Sequence, residues 1–242
     1  LEKDLDLARN IQRQLLPQRL PEPPGWQLAG ANLPYQAVGG DLYDAWIASD
    51  PPAGGWEDEA EGDRLHLVVA DISGKGLPAA LMMTQLSAYL RARADRRVKN
   101  WGRLATRLNV RMNEVRDGFR YTTLFAASVN PDNGDLRYVN GGHNPPLLVR
   151  RDGTFQRLDS TGPMVGLLPG ATFEQGHNRM GPGDVLVAFT DGLVEAESVA
   201  GQELGDEALA KVVSSLPDAT AYDLLEALLV RAFQHMEGTG FR

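Results

Sequence analysis

The sequence predicts an α+β fold in which sheets are covered by helices. Three patterns carry this expectation: many short apolar or alternating runs bounded by Gly, Pro or Asp, a pair of helical-period segments in mid-chain, and two more at the end.

Residues 1–16 read as a helix. Leu1, Leu5, Ala8, Gln12 and Leu15 keep the spacing of a coiled-coil seam, with the polar Gln12 in one slot. Pro17 stops it, and PQRLPEPPG forms a turn-rich linker. Two heptads leave two readings open: a helix packed on its own domain, or one that pairs with a second copy as a homodimer. Residues 26–32, 42–48 and 65–70 then read as strands. The run DPPAGGWEDEAEGD carries six carboxylates and no basic residue, and reads as a solvated loop. Residues 77–93 read as a helix with Pro78 in its first turn, where proline is tolerated. Residues 101–116 carry Leu104, Leu108, Met112 and Val115 at helical spacing. Strands return at 121–129 and 136–140, joined by the hairpin signal PDNGD, and again at 147–150, 154–158 and 185–190. Helices close the chain at 203–216 and 221–236, the latter with Thr220 and Asp223 in capping positions.

Composition narrows the function. The 242 residues are 43% hydrophobic, enough for a sizeable core, and carry a formal net charge of -8. That charge repels phosphate backbones and anionic lipid heads, so neither nucleic acid nor a membrane surface is an expected partner. The absence of cysteine removes disulfides, thiolate nucleophiles and cysteine-rich zinc sites, and accords with a reducing, cytoplasmic setting. No apolar run approaches the ~20 residues of a membrane helix. The charged start at Leu1 lacks the apolar core of a signal peptide and reads as a segment cut from a longer protein.

Three aspartates share one setting. Asp41 follows Gly39-Gly40, Asp71 ends LHLVVAD, and Asp191 ends VLVAFTD before Gly192. A strand end holds a carboxylate rigidly, and glycine lets backbone or ligand approach closely. Converging carboxylates need a cation between them, and hard oxygen donors without thiolate favour Mg²⁺ or Mn²⁺. Asp-Gly at a strand end is also ordinary turn chemistry, and taken singly each aspartate fits that reading. SGKG is no Walker loop, because Val69 stands where that motif needs glycine. His66, His143, His177 and His235 form no metal-ligand spacing, and His143 in GGHNPP reads as structural.

The motifs VGGDLYD, VVADISGKGLPAALMM, TTLFAASV, LRYVNGGHNPPLL, MVGL and PGDVLVAFTDGLVEA occur in an order that resembles the SpoIIE/RsbU branch of the metal-dependent protein phosphatases (type 2C, PPM). IQRQLLPQRLP resembles the linker before that domain. The resemblance implies two packed antiparallel β-sheets flanked by helices, with a 1–20 linker helix and a 21–242 phosphatase domain. It implies a two-metal site of Mg²⁺ or Mn²⁺ held by Asp41, Asp71, the Ile72 carbonyl and Asp191, with Asp44 outlying or structural. The implied activity is serine/threonine phosphoprotein hydrolysis in bacterial signalling, with a phosphorylated STAS-type anti-sigma-factor antagonist as substrate and an upstream sensor domain. The helix pair after Asp71 is implied to act as a switch. Two departures stand out. Asp71 is followed by Ile72, Ser73 and Gly74, without the histidine general acid of the wider family. The family's closing Asp-Asp-x-Thr strand is expected where GTGFR ends, so the domain reads as truncated before its last strand and weakly active. The alternatives are a pseudophosphatase serving as a protein-binding module, and a hydrolase of small phosphoesters.

Overall fold

Alternation along the strands sorts the side chains into layers. In β2 (Arg64–Ile72), Val68, Ala70 and Ile72 point to one face and Leu67 to the other. The computed structural model describes residues 9–10, 12–33, 38–49, 62–94, 98–114 and 121–236. Leu1, Leu5, Ala8, Val115 and residues 50–61 of the acidic run lie outside the described residues.

Around β2 lie β1 (Leu42–Ala48), β3 (Thr122–Val129), β4 (Asp135–Gly141) and β7 (Gly176–Arg179), in an antiparallel sheet of order β1-β2-β3-β4-β7. A second antiparallel sheet has the order β6-β5-β8, from β5 (Leu147–Val149), β6 (Phe155–Arg157) and β8 (Val185–Val187). Phe125, Ala127, Val129 and Leu136 of the first sheet meet Leu148 and Leu186 of the second, which makes the inter-sheet core. Helices cover both outer faces. Ala79, Met83, Leu86 and Leu90 of α1 (Leu77–Ala94), with Trp101, Ala105 and Leu108 of α2 (Trp101–Glu114), pack on the first sheet. A one-turn helix, α3 (Asp191–Val194), follows β8. Leu209 and Val213 of α4 (Asp206–Ser214), with Leu224 and Leu228 of α5 (Ala221–His235), pack on Leu147 and Val149. The expected α+β sandwich of two packed antiparallel sheets flanked by helices is the fold observed.

Local signals carry through where they are strong. The PDNGD turn joins β3 to β4, with Asn130 Oδ1 accepting from the Asp132 and Asn133 amides. Gly134 stands at φ 73°, and a Cβ there would lie 1.9 Å from the Met180 carbonyl oxygen, so only glycine fits. Thr220 and Asp223 form the expected capping box on α5.

Three expectations are corrected and one strand was not foreseen. Residues 26–32 form no strand: the Trp26 indole donates to the Pro131 carbonyl at 2.9 Å, and the Tyr43 ring packs directly against Gly30. Side chains rather than a ladder hold this segment to the domain. The expected 185–190 strand ends at Val187, and the expected 203–216 helix begins at Asp206. β7 was not expected, because GHNR has neither alternation nor apolar content, and its pairing with β4 makes it a strand.

Candidate functional site

The antiparallel register brings separate motifs to one end of the first sheet. Asp71 pairs with Thr123 and Ile72 with Thr122, while Asp41 immediately precedes β1, whose Leu42 pairs with Ala70. Gly40 is the joint between them. A Cβ on it would lie 2.6 Å from the Ile72 carbonyl oxygen and 3.1 Å from Asp71 Oδ1. The glycine pair before Asp41 therefore lets one backbone lie directly on the other, and it brings Asp41, Asp71 and the Ile72 carbonyl together.

Asp191 arrives from the opposite side. The Phe189–Thr190 segment leaves β8 without continuing as strand, and Asp191 opens α3. Thr190 sits at the helix N-cap, yet its side chain makes no capping bond and reaches Asp41 instead.

Electrostatics binds the three aspartates into one unit. Burial, then the Asp71 and Asp191 charges, push the Asp41 carboxyl up to about 7, against a bond from Thr190 that acts in the other direction. Burial and the Asp191 charge also raise Asp71, while its bond with Asp41 and the Ile72 amide oppose the rise. A proton on Asp41 relieves its repulsion with Asp71, so burial and like charge act on the two carboxyls together. Glu195 is raised as well, by burial and by Asp191 and Glu203. Carboxylates gathered under burial and like charge are a donor set that a hard cation would satisfy. Among the described residues, no three His, Asp or Glu side chains are gathered to ligand spacing. The site opens into a cleft of about 1550 Å³ that also receives Gly74, Lys75 and Glu195.

Asp44 does not belong to this unit. It is buried on the helix side of β1 and accepts two bonds from Arg91 of α1, both 2.6 Å. Its role is structural. His143 is buried too, with Nδ1 2.8 Å from Thr123 Oγ1 and no hydrogen-bond partner at Nε2 among the described residues. Burial holds its pKa down at about 4, so it is neutral near pH 7 and carries no proton to donate as an imidazolium acid.

Sequence reasoning missed three supporting residues. Thr190 reaches Asp41, Thr122 Oγ1 donates to the Asp71 carbonyl at 2.8 Å, and Gln12 holds Gly39. The threonines lay inside quoted motifs, beside the aspartates or at the head of TTLF. Gln12 had only its polar place in an apolar seam as a signal.

Comparison with known proteins places the chain by fold and family. Its fold is that of PP2C phosphatase domains: the SiaA-PP2C domain of Pseudomonas aeruginosa superposes at TM-score 0.75 and 18% identity, over 100% of this chain and 92% of that one. The model of the Stage II sporulation protein E (SpoIIE) family matches residues 61–240, and the chain belongs to that family. Protein IcfG of Synechocystis is 28% identical over 98% of this chain and 39% of its own length. Phosphoserine phosphatase RsbU of Bacillus subtilis is 24% identical over 83% of this chain and 56% of its own. The structure of the RsbU and RsbW domains of a Mycobacterium tuberculosis protein matches at TM-score 0.65 and 26% identity, over 84% of this chain and 53% of that one. The chain thus spans 39% to 56% of the curated relatives it matches.

Proposed function

We propose that this chain is a metal-dependent serine/threonine phosphoprotein phosphatase domain of bacterial signalling, with Asp41, Asp71, the Ile72 carbonyl and Asp191 holding its metal ions. The observation that carries this reading is the convergence of three aspartates, distant in sequence, on one cleft, where burial and the Asp191 charge raise the proton affinity of Asp41 and Asp71. SpoIIE family membership and relatives named as phosphoserine phosphatases support the reaction class. A PP2C-fold relative, RsbX, has been solved in complex with magnesium, which supports the choice of Mg²⁺ or Mn²⁺.

The reaction is direct attack of water on phosphorus, and the chain holds no cysteine that would form a phosphoenzyme. When bound, a pair of divalent cations offsets the phosphoryl charge and makes water a nucleophile near neutral pH. The protein's own part is to present deprotonated carboxylates. Asp41 must release the proton that burial and its like-charged neighbours favour, and the Thr190 side chain favours the ionised form. The Ile72 amide does the same for Asp71. Thr122 fixes the backbone under Asp71. The substrate is a phosphorylated STAS-type protein in a partner-switching system, acted on in the cytoplasm under an upstream sensor. No helix among the described residues is long and apolar enough to cross a membrane.

Asp191→Asn tests the assignment. Mn²⁺-dependent hydrolysis of a phosphoserine protein should fall at least about 100-fold, and unchanged turnover would refute it. A second reading, a pseudophosphatase that binds phosphoprotein without turnover, draws on the lack of a tight three-ligand cluster among the described residues. It requires phosphoprotein binding that Mn²⁺ leaves unchanged.

A further inference from the structure

The helical residues 12–15 reach the site through one side chain. Gln12 uses both ends of its amide on a single backbone residue: Nε2 donates to the Gly39 carbonyl at 2.5 Å, and Oε1 accepts from the Gly39 amide at 3.1 Å. Leu16, just beyond, packs against the core between the first sheet and its helices, so this helical turn is docked on the domain. Gly39 leads into Gly40, which lies on the Ile72 carbonyl and the Asp71 carboxylate, and then into Asp41.

Two successive glycines have no side chains by which the fold can grip them. Their position depends on what holds their backbone. On one side that is Ile72; on the other it is Gln12. Among the described residues, a further backbone contact, from Asn32 Nδ2 to the Asp41 carbonyl, is long at 3.5 Å. We infer that Gln12 is a positioning residue for the Asp41 carboxylate, so that the docking of the N-terminal helix and the metal affinity of the site are linked. This rests on the proposed reading of Asp41 as a ligand. Linkage is reciprocal: bound metal fixes Asp41 and thereby favours the docked helix. The polar slot in an apolar seam then has a use inside the domain, separate from pairing with a second copy.

The test uses the chain as it stands, with Gln12→Leu, Gln12→Glu and Asp41→Asn. Calorimetry gives the Mn²⁺ Kd, hydrogen exchange reads the Gly39 and Gly40 amides, light scattering gives the mass, and melting is followed without metal. Gln12→Leu should weaken Mn²⁺ binding about 10-fold, the lower end for loss of a supporting partner. It should speed exchange at Gly39 while lowering the metal-free Tm by no more than about 4 °C. Gln12→Glu keeps the acceptor for the Gly39 amide and should fall between. Wild-type or tighter Mn²⁺ binding in Gln12→Leu overturns the inference, whether or not the variant dimerises more. So does a weaker Kd with unchanged exchange at Gly39, because the effect then takes another route. If Asp41→Asn binds Mn²⁺ as tightly as wild type, the ligand reading itself has failed, and the Gly39 exchange still reports on the clamp alone.

Discussion

Asp41 concentrates the electrostatic cost of the site. In the folded chain it keeps its proton up to about 7 against an ordinary 3.8, so between these values the native state binds a proton that the unfolded state has released. Its contribution to stability is fully present below about pH 4 and lost as pH rises toward 7. His143 acts with the opposite sign. Held at about 4 against 6.5, it stays neutral where the unfolded chain is protonated, so its term favours the fold as pH rises through that window. Because the two oppose each other, the wild-type profile alone is uninformative. The metal-free melting temperature of Asp41→Asn should instead gain on wild type steadily from pH 4 to 7. Mn²⁺ affinity should tighten about tenfold per pH unit up to about pH 7 and flatten above, as one proton is displaced on binding. A second residue-scale expectation concerns Gly40. Alanine there meets the Ile72 backbone, which cannot yield as a flexible side chain would. Gly40→Ala should cost at least about tenfold in Mn²⁺ affinity, measured by calorimetry, by prising Asp41 from Asp71.

Two contacts at the scale of elements separate scaffold from site. Arg91 of α1 lies over the Trp46 ring at 4.6 Å while it pairs with the buried Asp44 of β1. Arg91→Ala strands that carboxylate. It should destabilise the fold by about 2 kcal/mol in urea denaturation, less than a fully buried pair because Arg91 is half-exposed. The Thr220 capping box on α5 lies in the opposite helical layer. Thr220→Ala should cost about 1 kcal/mol and leave kcat unchanged. The helix pair begins directly after the Asp71 loop, and half-buried Met82 is a cleaner probe of its proposed switching role than fully buried Ala79. A bulky polar residue at Met82 that shifts Mn²⁺ affinity more than Tm supports the switch; a pure loss of stability speaks for a packing layer.

For the molecule as a whole, cation binding and folding are one equilibrium. On the proposed ligand set, a divalent ion would relieve the repulsion among the aspartates only in the native state, so 1 mM Mn²⁺ should raise Tm by several degrees in wild type and not in Asp191→Asn. A ligand at 100 times its Kd adds about 2.7 kcal/mol. Light scattering with and without residues 1–16 decides the dimer expectation: a monomer in both cases removes it.

The pattern of core faces was legible in the residues themselves. The apolar or alternating runs of β1 to β4, the helical spacing of α2, Pro78 in the first turn of α1, the PDNGD turn and the Thr220 cap are local chemistry, and local chemistry is written in neighbouring residues. The three aspartates were legible as candidates for the same reason, each at the end of an apolar run beside glycine. The tertiary structure decided what depends on distant partners. Polar GHNR became a strand because β4 offered an open edge, whereas residues 26–32 are held by side-chain contacts of Trp26 and Tyr43 instead of a ladder. Gln12, Thr190 and Thr122 became supports of the site only through contacts that chain order does not encode. The raised proton affinity of Asp41 likewise exists only because antiparallel register carries separate chain segments to one sheet end, where burial and like charge act together.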